Sequence, residues 1–580
     1  MSVASAASAT AVAAVAEAVA AVAAASAVPV GGGPEGIALT LRYRSEAPEA
    51  EGPLTLGQDN MIRCLRHDEP SHMNKQATWT VPPGAELPAC LHALRTLAER
   101  HPALRTVFPG PADRQPERQR VRAEGEFTVR VLPLAAGEDP AARAEAYCWE
   151  GRRRAFDLAE EFPLRFALLT RDGAPVLLAV VICHAQLDGV ATGLLFQEWL
   201  TLAVGGTLPA PAAPTPVEVA EQEQSSSGQR RTKAALRHWE HILADRPTSV
   251  FADDRIGPND TRLPTLGVRS TAGAAALERA AARTGVSTSA VLLACYAVLT
   301  AHRAGHPTVV MAALSANRHR PGLAEHVGTL AQDALLVLDT DCPDLDTLIG
   351  RAQAQALSGY WHATFDAERI WQLIEDVAVR RGARFARHVV VNDLSGTVPP
   401  DVAAARPLPP AEPDLAWYPV EPTPTRLMLN IWRTAGCLEF TLHTHPDVLD
   451  REETELFALA LLRLLDLAGT RTVTLGPAGE IAALSGLPVG RREKGRWQRV
   501  GSNWVDLDAV ADLLRTALPA ARDIEVTFEG GELTAVLATG TDPLTPEQAH
   551  AAVMAALPGH DTAMAPQRYV LPTGTGTGRP

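Results

Sequence analysis

Residues 176–183 run VLLAVVIC, eight apolar positions without a break, before the chain turns polar at His184, Asp188 and Gly189. A run of that length suits a strand buried on both faces, and the Leu- and Phe-rich stretch that follows predicts an amphipathic helix. An imidazole at such a strand end is fixed by the core and open to a cleft, where a proton-accepting or proton-positioning group is useful. Upstream, residues 78–82 read as a short strand, and Leu87, Leu91, Leu94 and Ala98 share one face of a helix opened by Pro88 and running into His101. Residues 141–154 predict another helix, with Arg152, Arg153 and Arg154 at its C-terminal end, where cations favour the dipole.

Residues 208–216 and 221–233 are Pro/Ala-rich and polar in turn and read as a surface loop or linker. Beyond them a helix is expected around Trp239, then one capped by Ser287 with Val291, Cys295, Val298 and His302 on one face. Residues 308–314 predict a strand leading to Ser315, Asn317 and Arg318. A helix over 360–377, a strand over 387–393 and two strands around Gly436 follow, and Asp450 with Glu453 starts a Leu-rich helix that ends near Leu467. Residues 524–538 alternate around Gly530-Gly531 as a hairpin, and Thr545, Pro546 and Gln548 are cap, first-turn proline and capping-box partner of a last helix.

The 580 residues are 46% hydrophobic, enough for roughly two to four domains. A net charge of -14 argues against a nucleic-acid partner. Seven cysteines scattered from Cys64 to Cys437 show neither metal-ligand nor disulfide spacing, so no metal is expected and a reducing cytoplasm is the expected location. Residues 2–28 are mostly Ala, with Glu17 the only charge and no Lys or Arg before Arg42. A secretory signal is therefore not expected, and Ala is too weakly hydrophobic for a membrane span to be expected. Residues 1–50 are expected to be an Ala-rich disordered tail, whose first stretch is disordered or a fraying helix as far as the Gly31-Gly32-Gly33-Pro34 break, with a docking helix for a partner as the alternative.

CHAQLDG, residues 183–189, resembles the HHxxxDG core of nonribosomal peptide synthetase condensation domains, with Cys183 in place of the first His. LTLGQDNM (54–61), RHPALRTVF (100–108), FDL (156–158), PLRF (163–166), HWEHIL (238–243), SANR (315–318) and VGTLAQD (327–333) fall in that family's order. The resemblance covers roughly residues 54–467. It implies an α/β (α+β) fold of two chloramphenicol-acetyltransferase-like lobes in a V-shaped pseudo-dimer, residues 51–235 and 236–470, with a tunnel reaching His184. GRWQRVGSNWVDLDAV (495–510) and LPGHDTAMAPQRYVLP (557–572) are similar to the small C-terminal subdomain of an adenylation domain. A linker is expected over 471–494 and a small α+β module over 495–580. There is no room for the large nucleotide-binding part, no carrier-protein serine motif, and Arg579 stands where that family has a Lys, so self-adenylation is not expected.

What the resemblance implies is a free-standing condensation enzyme. It would form an amide, or an ester, between a thioester on the phosphopantetheine arm of a carrier protein acting in trans and a small-molecule or carrier-bound acceptor, with no cofactor of its own. His184 would be catalytic, and backbone N–H groups near Gly189 would favour the oxyanion. Asp188 would pair with Arg318 of the second lobe and Cys183 would be structural, while Gln58, Ser315 and Gln332 are candidates for lining the substrate tunnel. Two other readings stay open: an acyl-CoA-dependent acyltransferase of the same fold, and a non-catalytic recruitment module, for which Cys183 and Gln332, in place of the family's Asn, speak.

Overall fold

The apolar run becomes the strand Ala174–Ile182, whose residues from Leu178 on are at most 2% exposed. This computed structural model describes residues 27–33, 36–111, 113–257, 262–397, 406–476, 479–538, 544–571 and 577–578. Among the described residues the chain divides into two compact units: those within 1–230, with 316–332 and Thr397, and those within 231–315, 333–396 and 400–580.

The first unit carries a six-stranded sheet in the order Ala27–Gly33, Gly36–Arg44, Glu124–Pro133, Leu164–Arg171, Ala174–Ile182 and Lys75–Thr80. Strand Ala174–Ile182 is thus next to the edge, antiparallel to both neighbours, with Ile182 opposite Leu164 on one side and Lys75 on the other. The helix Leu87–Arg100 buries the expected face of Leu87, Leu91, Leu94 and Ala98. It packs beside the helix Gly189–Leu202. Trp199 of the latter is fully buried and donates through Nε1 to the Thr80 carbonyl (3.0 Å), while Trp79 stacks on Phe196 with centroids 5.9 Å apart. Truncating an indole packed this way costs about 3–5 kcal/mol, so these aromatics fix the helix that follows His184 to the edge strand.

The second unit has a seven-stranded sheet ordered Gln332–Asp339, Thr308–Ser315, Val389–Asp393, Leu427–Arg433, Leu438–Thr444, Arg262–Ser270 and Asp414–Pro422. Helices Thr288–Ala304 and Arg451–Ala468 supply much of its core, and the Tyr296 hydroxyl, fully buried, donates toward the carbonyls of Val390 (3.3 Å) and Leu427 (3.1 Å). Asp450 and Glu453 form the expected capping box. The hairpin Arg522–Glu529 and Glu532–Ala538 turns through Gly530 (φ 61°) and Gly531 (φ 84°), a left-handed pair that residues with a Cβ seldom adopt. The helix Pro546–Ala556 has the expected Thr545–Gln548 capping box.

Four expectations are corrected. Residues 360–377 are two helices, Leu345–Trp361 and Ala367–Arg381, because Asp366 caps the second by accepting from the Arg369 amide. Residues 221–233 are helical, within Pro216–Gln224 and Ser226–Asp245: Thr215 and Glu218 nucleate the first, and the serine run marks the break between them. Residues 471–494 are not a linker. Val473, Leu475, Ile481 and Leu487 are buried in the core of the second unit, and Arg492 donates to the carbonyls of Ala252 and Ala304. Within the expected tail, Gly36–Arg44 is a strand burying Leu39, Leu41 and Tyr43, and the Gly31-Gly32-Gly33 run lies in its neighbour Ala27–Gly33. Alternation of apolar and polar positions over 37–44 is the signal that a compositional reading of the Ala-rich stretch passes over. Residues 1–26 and Arg579 lie outside the described residues. Among the described residues no single helix is long and apolar enough to cross a membrane.

Candidate active site

His184 follows the strand Ala174–Ile182 by two residues and is half-buried. Its Nδ1 lies 2.9 Å from the Leu187 carbonyl oxygen. A carbonyl can only accept, so Nδ1 carries the proton and Nε2 is the nitrogen that bears the acceptor lone pair. Burial, reinforced by the nearby Lys75 ammonium and only partly offset by the Leu187 hydrogen bond, pushes the imidazole down to about 4. The ring is therefore neutral at physiological pH.

Asp188 is 2% exposed and fully occupied. Oδ1 accepts from the Ala191 amide (2.9 Å), capping the helix Gly189–Leu202. Oδ2 accepts from Arg318 Nη1 (2.8 Å) and from the Leu330 amide (2.9 Å). Burial works against ionisation, but the Arg318 charge and these hydrogen bonds hold the carboxyl below its ordinary value. Arg318 also donates to the carbonyls of Ala316 (3.0 Å), His326 (3.2 Å) and Gly328 (2.9 Å). By chain order Arg318 belongs to the second lobe, yet residues 316–332 fold with the first unit, so the pair lies inside one compact unit.

Cys183 is fully buried against Ile62, Phe108 and Ala185, and burial pushes its thiol up to about 12. It is a packing residue without nucleophilic character. Gly189 is exposed and opens the helix, with no positive φ to make it a turn glycine. Gln58, 3% exposed, has its amide engaged within the protein: it accepts from Thr55 N (2.8 Å) in a capping box and donates to Gln119 Oε1 (2.9 Å). Gln332, also buried, reaches back to the Leu56 carbonyl (3.4 Å). Ser315 ends the strand Thr308–Ser315, buried in the second unit. The structure therefore gathers His184, Asp188, Gly189 and Arg318, while Gln58 and Gln332 meet the N-terminus of the helix Leu56–His67.

The motif around His101 anchors the helix that follows this loop. Arg100 Nε and Nη2 (both 3.1 Å) and His101 Nε2 (2.7 Å) converge on Glu198 of the helix Gly189–Leu202. Burial opposes its ionisation, but those hydrogen bonds bring Glu198 down to about 2. Arg105 donates to the Ala98 and Arg122 carbonyls, a loop-holding role. Arg152, the first of the basic triplet, is buried and donates to the Ser71 carbonyl, while Arg153 and Arg154 are exposed. Among the described residues no group of His, Cys, Asp and Glu could hold a metal ion. Sequence reasoning missed Lys75 and the Leu330 amide, since both reach the site through tertiary pairing; it also missed Glu198, which meets Arg100 and His101.

The condensation domain family model matches residues 50–468. The probable non-canonical nonribosomal peptide synthetase CymA of Salinispora arenicola is 27% identical over 522 residues, covering 82% of this chain and 6% of CymA. Phosphinothricin tripeptide synthetase PhsC of Streptomyces viridochromogenes is 30% identical over 304 residues, 49% of this chain and 27% of PhsC. The chain thus spans about a quarter or less of the length of these relatives. Among solved structures, the condensation domain of the Monacolin K polyketide synthase MokA superposes with a TM-score of 0.59 at 18% identity, over 74% of this chain and 100% of that one.

Proposed function

From the fact that the chain belongs to the condensation domain family, we propose that it is an acyltransferase of nonribosomal peptide-type biosynthesis. The donor would be an acyl or aminoacyl thioester on the phosphopantetheine arm of a carrier protein. The acceptor would be an amine, giving an amide, or a hydroxyl, giving an ester. The nucleophile adds to the thioester carbonyl, the C–S bond breaks, and the carrier thiol leaves with the proton the nucleophile loses.

One observation carries the reading: the Nδ1–H of His184 is committed to the Leu187 carbonyl, so a neutral Nε2 is left as an acceptor at the end of the strand. An imidazole pushed down to about 4 is a weak base at neutral pH. It acts first by accepting a hydrogen bond from the amine and aiming the lone pair at the carbonyl, a positioning effect worth about several kcal/mol. The first-turn N–H groups at Gly189 and Val190 have no intrahelical acceptors and favour negative charge on the carbonyl oxygen. The protein needs no cofactor of its own for these steps.

The test offers purified protein a loaded carrier, an acyl-CoA and an amine, with His184→Ala alongside. Amide from the loaded carrier, lost in the variant, is the expected result; product from acyl-CoA alone moves the protein to a carrier-independent acyltransferase. Cys183 and Gln332 favour a second reading, a non-catalytic recruitment module, which would give no product from any donor and tight binding to a partner enzyme.

A further inference from the structure

We infer that Gly57 is a positioning residue for the reaction proposed above, acting on His184 through a backbone strap, residues 328–332; the inference rests on that reading of His184. Gly57 is the second residue of the helix Leu56–His67 and is buried. A Cβ built on it would lie 2.4 Å from the Thr329 carbonyl oxygen and 2.9 Å from Leu330 Cα. Both are backbone atoms, so no side-chain rotation relieves the overlap, and the strap lies against the first helical turn only because position 57 has no side chain.

Three further hydrogen bonds hold the strap there. Gln332 Nε2 donates to the Leu56 carbonyl (3.4 Å), Arg318 Nη2 to the Gly328 carbonyl (2.9 Å) and Asn317 Nδ2 to the Leu330 carbonyl (2.9 Å). In that position the Leu330 amide meets Asp188 Oδ2 at 2.9 Å, beside Arg318. Asp188 then faces two ways: one oxygen to the strap and Arg318, the other to Ala191 at the start of the helix Gly189–Leu202. Leu187, its chain neighbour, presents the carbonyl that fixes the tautomer of His184. The line of contacts therefore runs Gly57, Leu330 amide, Asp188, Leu187 carbonyl, His184 Nδ1. Gly57 touches neither the imidazole nor any reacting atom.

Gly57→Ala probes this role directly: Gly to Ala ordinarily favours a helix, so what the variant loses comes from the strap that the new Cβ displaces, and the His184 signals tell that displacement from a general loss of stability. In the full-length protein, the expected outcome is a folded variant whose kcat for condensation of a loaded carrier with an amine falls about 100-fold while KM barely moves. In the same variant, labelled with 15N-histidine, the His184 signals lose the pattern of a single Nδ1-protonated tautomer. A folded Gly57→Ala protein with parental kcat and unchanged His184 signals overturns the inference. Should Gly57→Ala not fold, the parental protein labelled with 15N-leucine decides: the Leu330 amide is expected to exchange slowly, and exchange at the rate of an unstructured amide overturns the strap. Parental turnover in His184→Ala would sink the catalytic reading alone, because the tautomer and exchange measurements do not depend on activity.

Discussion

The guanidinium of Arg318 and the carboxylate of Asp188 meet at 2.8 Å, 7% and 2% exposed, within one compact unit and one residue pair away from the Leu187 carbonyl that orients His184. Taking away one member leaves the other charged, buried and unpaired. Asp188→Ala and Arg318→Ala are each expected to lose about 3–5 kcal/mol, read as a lower denaturant midpoint. Asp188→Leu combined with Arg318→Met should cost less than the two single changes summed; full additivity would mean the pair is not coupled.

Acid should act on this protein through buried neutral histidines. Burial holds His184 and His326 at about 4, against an ordinary value near 6.5. The native state then binds fewer protons than the unfolded chain between those values, so stability falls as pH drops from about 6.5 toward 4 and levels off below. For His326, 1% exposed, the loss is about 3 kcal/mol. The rate, by contrast, should show no His184 limb near pH 6.5; a kcat/KM profile halving there would mean that the imidazole titrates normally and is solvated.

Cys183 should be silent as a thiol. Fully buried, with its thiol up at about 12, it is expected to resist iodoacetamide in the folded protein and to react after unfolding, as mass spectrometry of the modified peptide would record. Cys183→Ala should keep most of the turnover. Cys183→His, which restores the residue seen in the family motif, must fit an imidazole against Ile62 and Phe108 and should cost about 1–3 kcal/mol.

The C-terminal residues are tied to the second unit by charge. Asp561 Oδ2 accepts from Arg426 Nη2 (2.7 Å), and His388 Nε2 lies 3.2 Å away; Arg426 is fully buried. Burial raises Asp561, but hydrogen bonding and charge from His388 and Arg426 outweigh it and hold the carboxyl far below its ordinary value. Its contribution is therefore present above about pH 4 and lost as pH falls through the acid range. Asp561→Ala should destabilise the second unit by about 3–5 kcal/mol at pH 7, and a chain ending at residue 494 should aggregate, since Arg426 then has no counter-charge. A soluble truncated protein with parental melting behaviour would sink this.

Along the chain, the sequence was enough for the elements whose signal is local. The eight-residue apolar run, the Leu face of 87–98, the Gly530-Gly531 hairpin and the capping pairs Asp450/Glu453 and Thr545/Gln548 each depend on neighbours within a few residues, and each appears in the structure. Motif order was enough for the family. The misses have two causes. Over 221–233 and 360–377 local caps at Thr215 and Asp366 were passed over, whereas residues 471–494 are irregular by composition and distant partners decide their state, such as the core that takes Ile481 and Leu487 and the Ala252 carbonyl that takes Arg492.

What sequence alone determined is therefore where the candidate site lies: an imidazole after a buried strand, a carboxylate four residues on, and an arginine far downstream. What only the tertiary structure decided is their state. Which nitrogen of His184 holds the proton, how far its affinity falls, and which amide completes Asp188 depend on Leu187, Lys75 and Leu330 arriving at the same few ångströms. Burial and charge act through space, and Leu330 stands 142 positions from Asp188. No periodicity or spacing along the chain encodes that distance, so the chemistry of the site becomes readable only once the strap and the strand end are folded together.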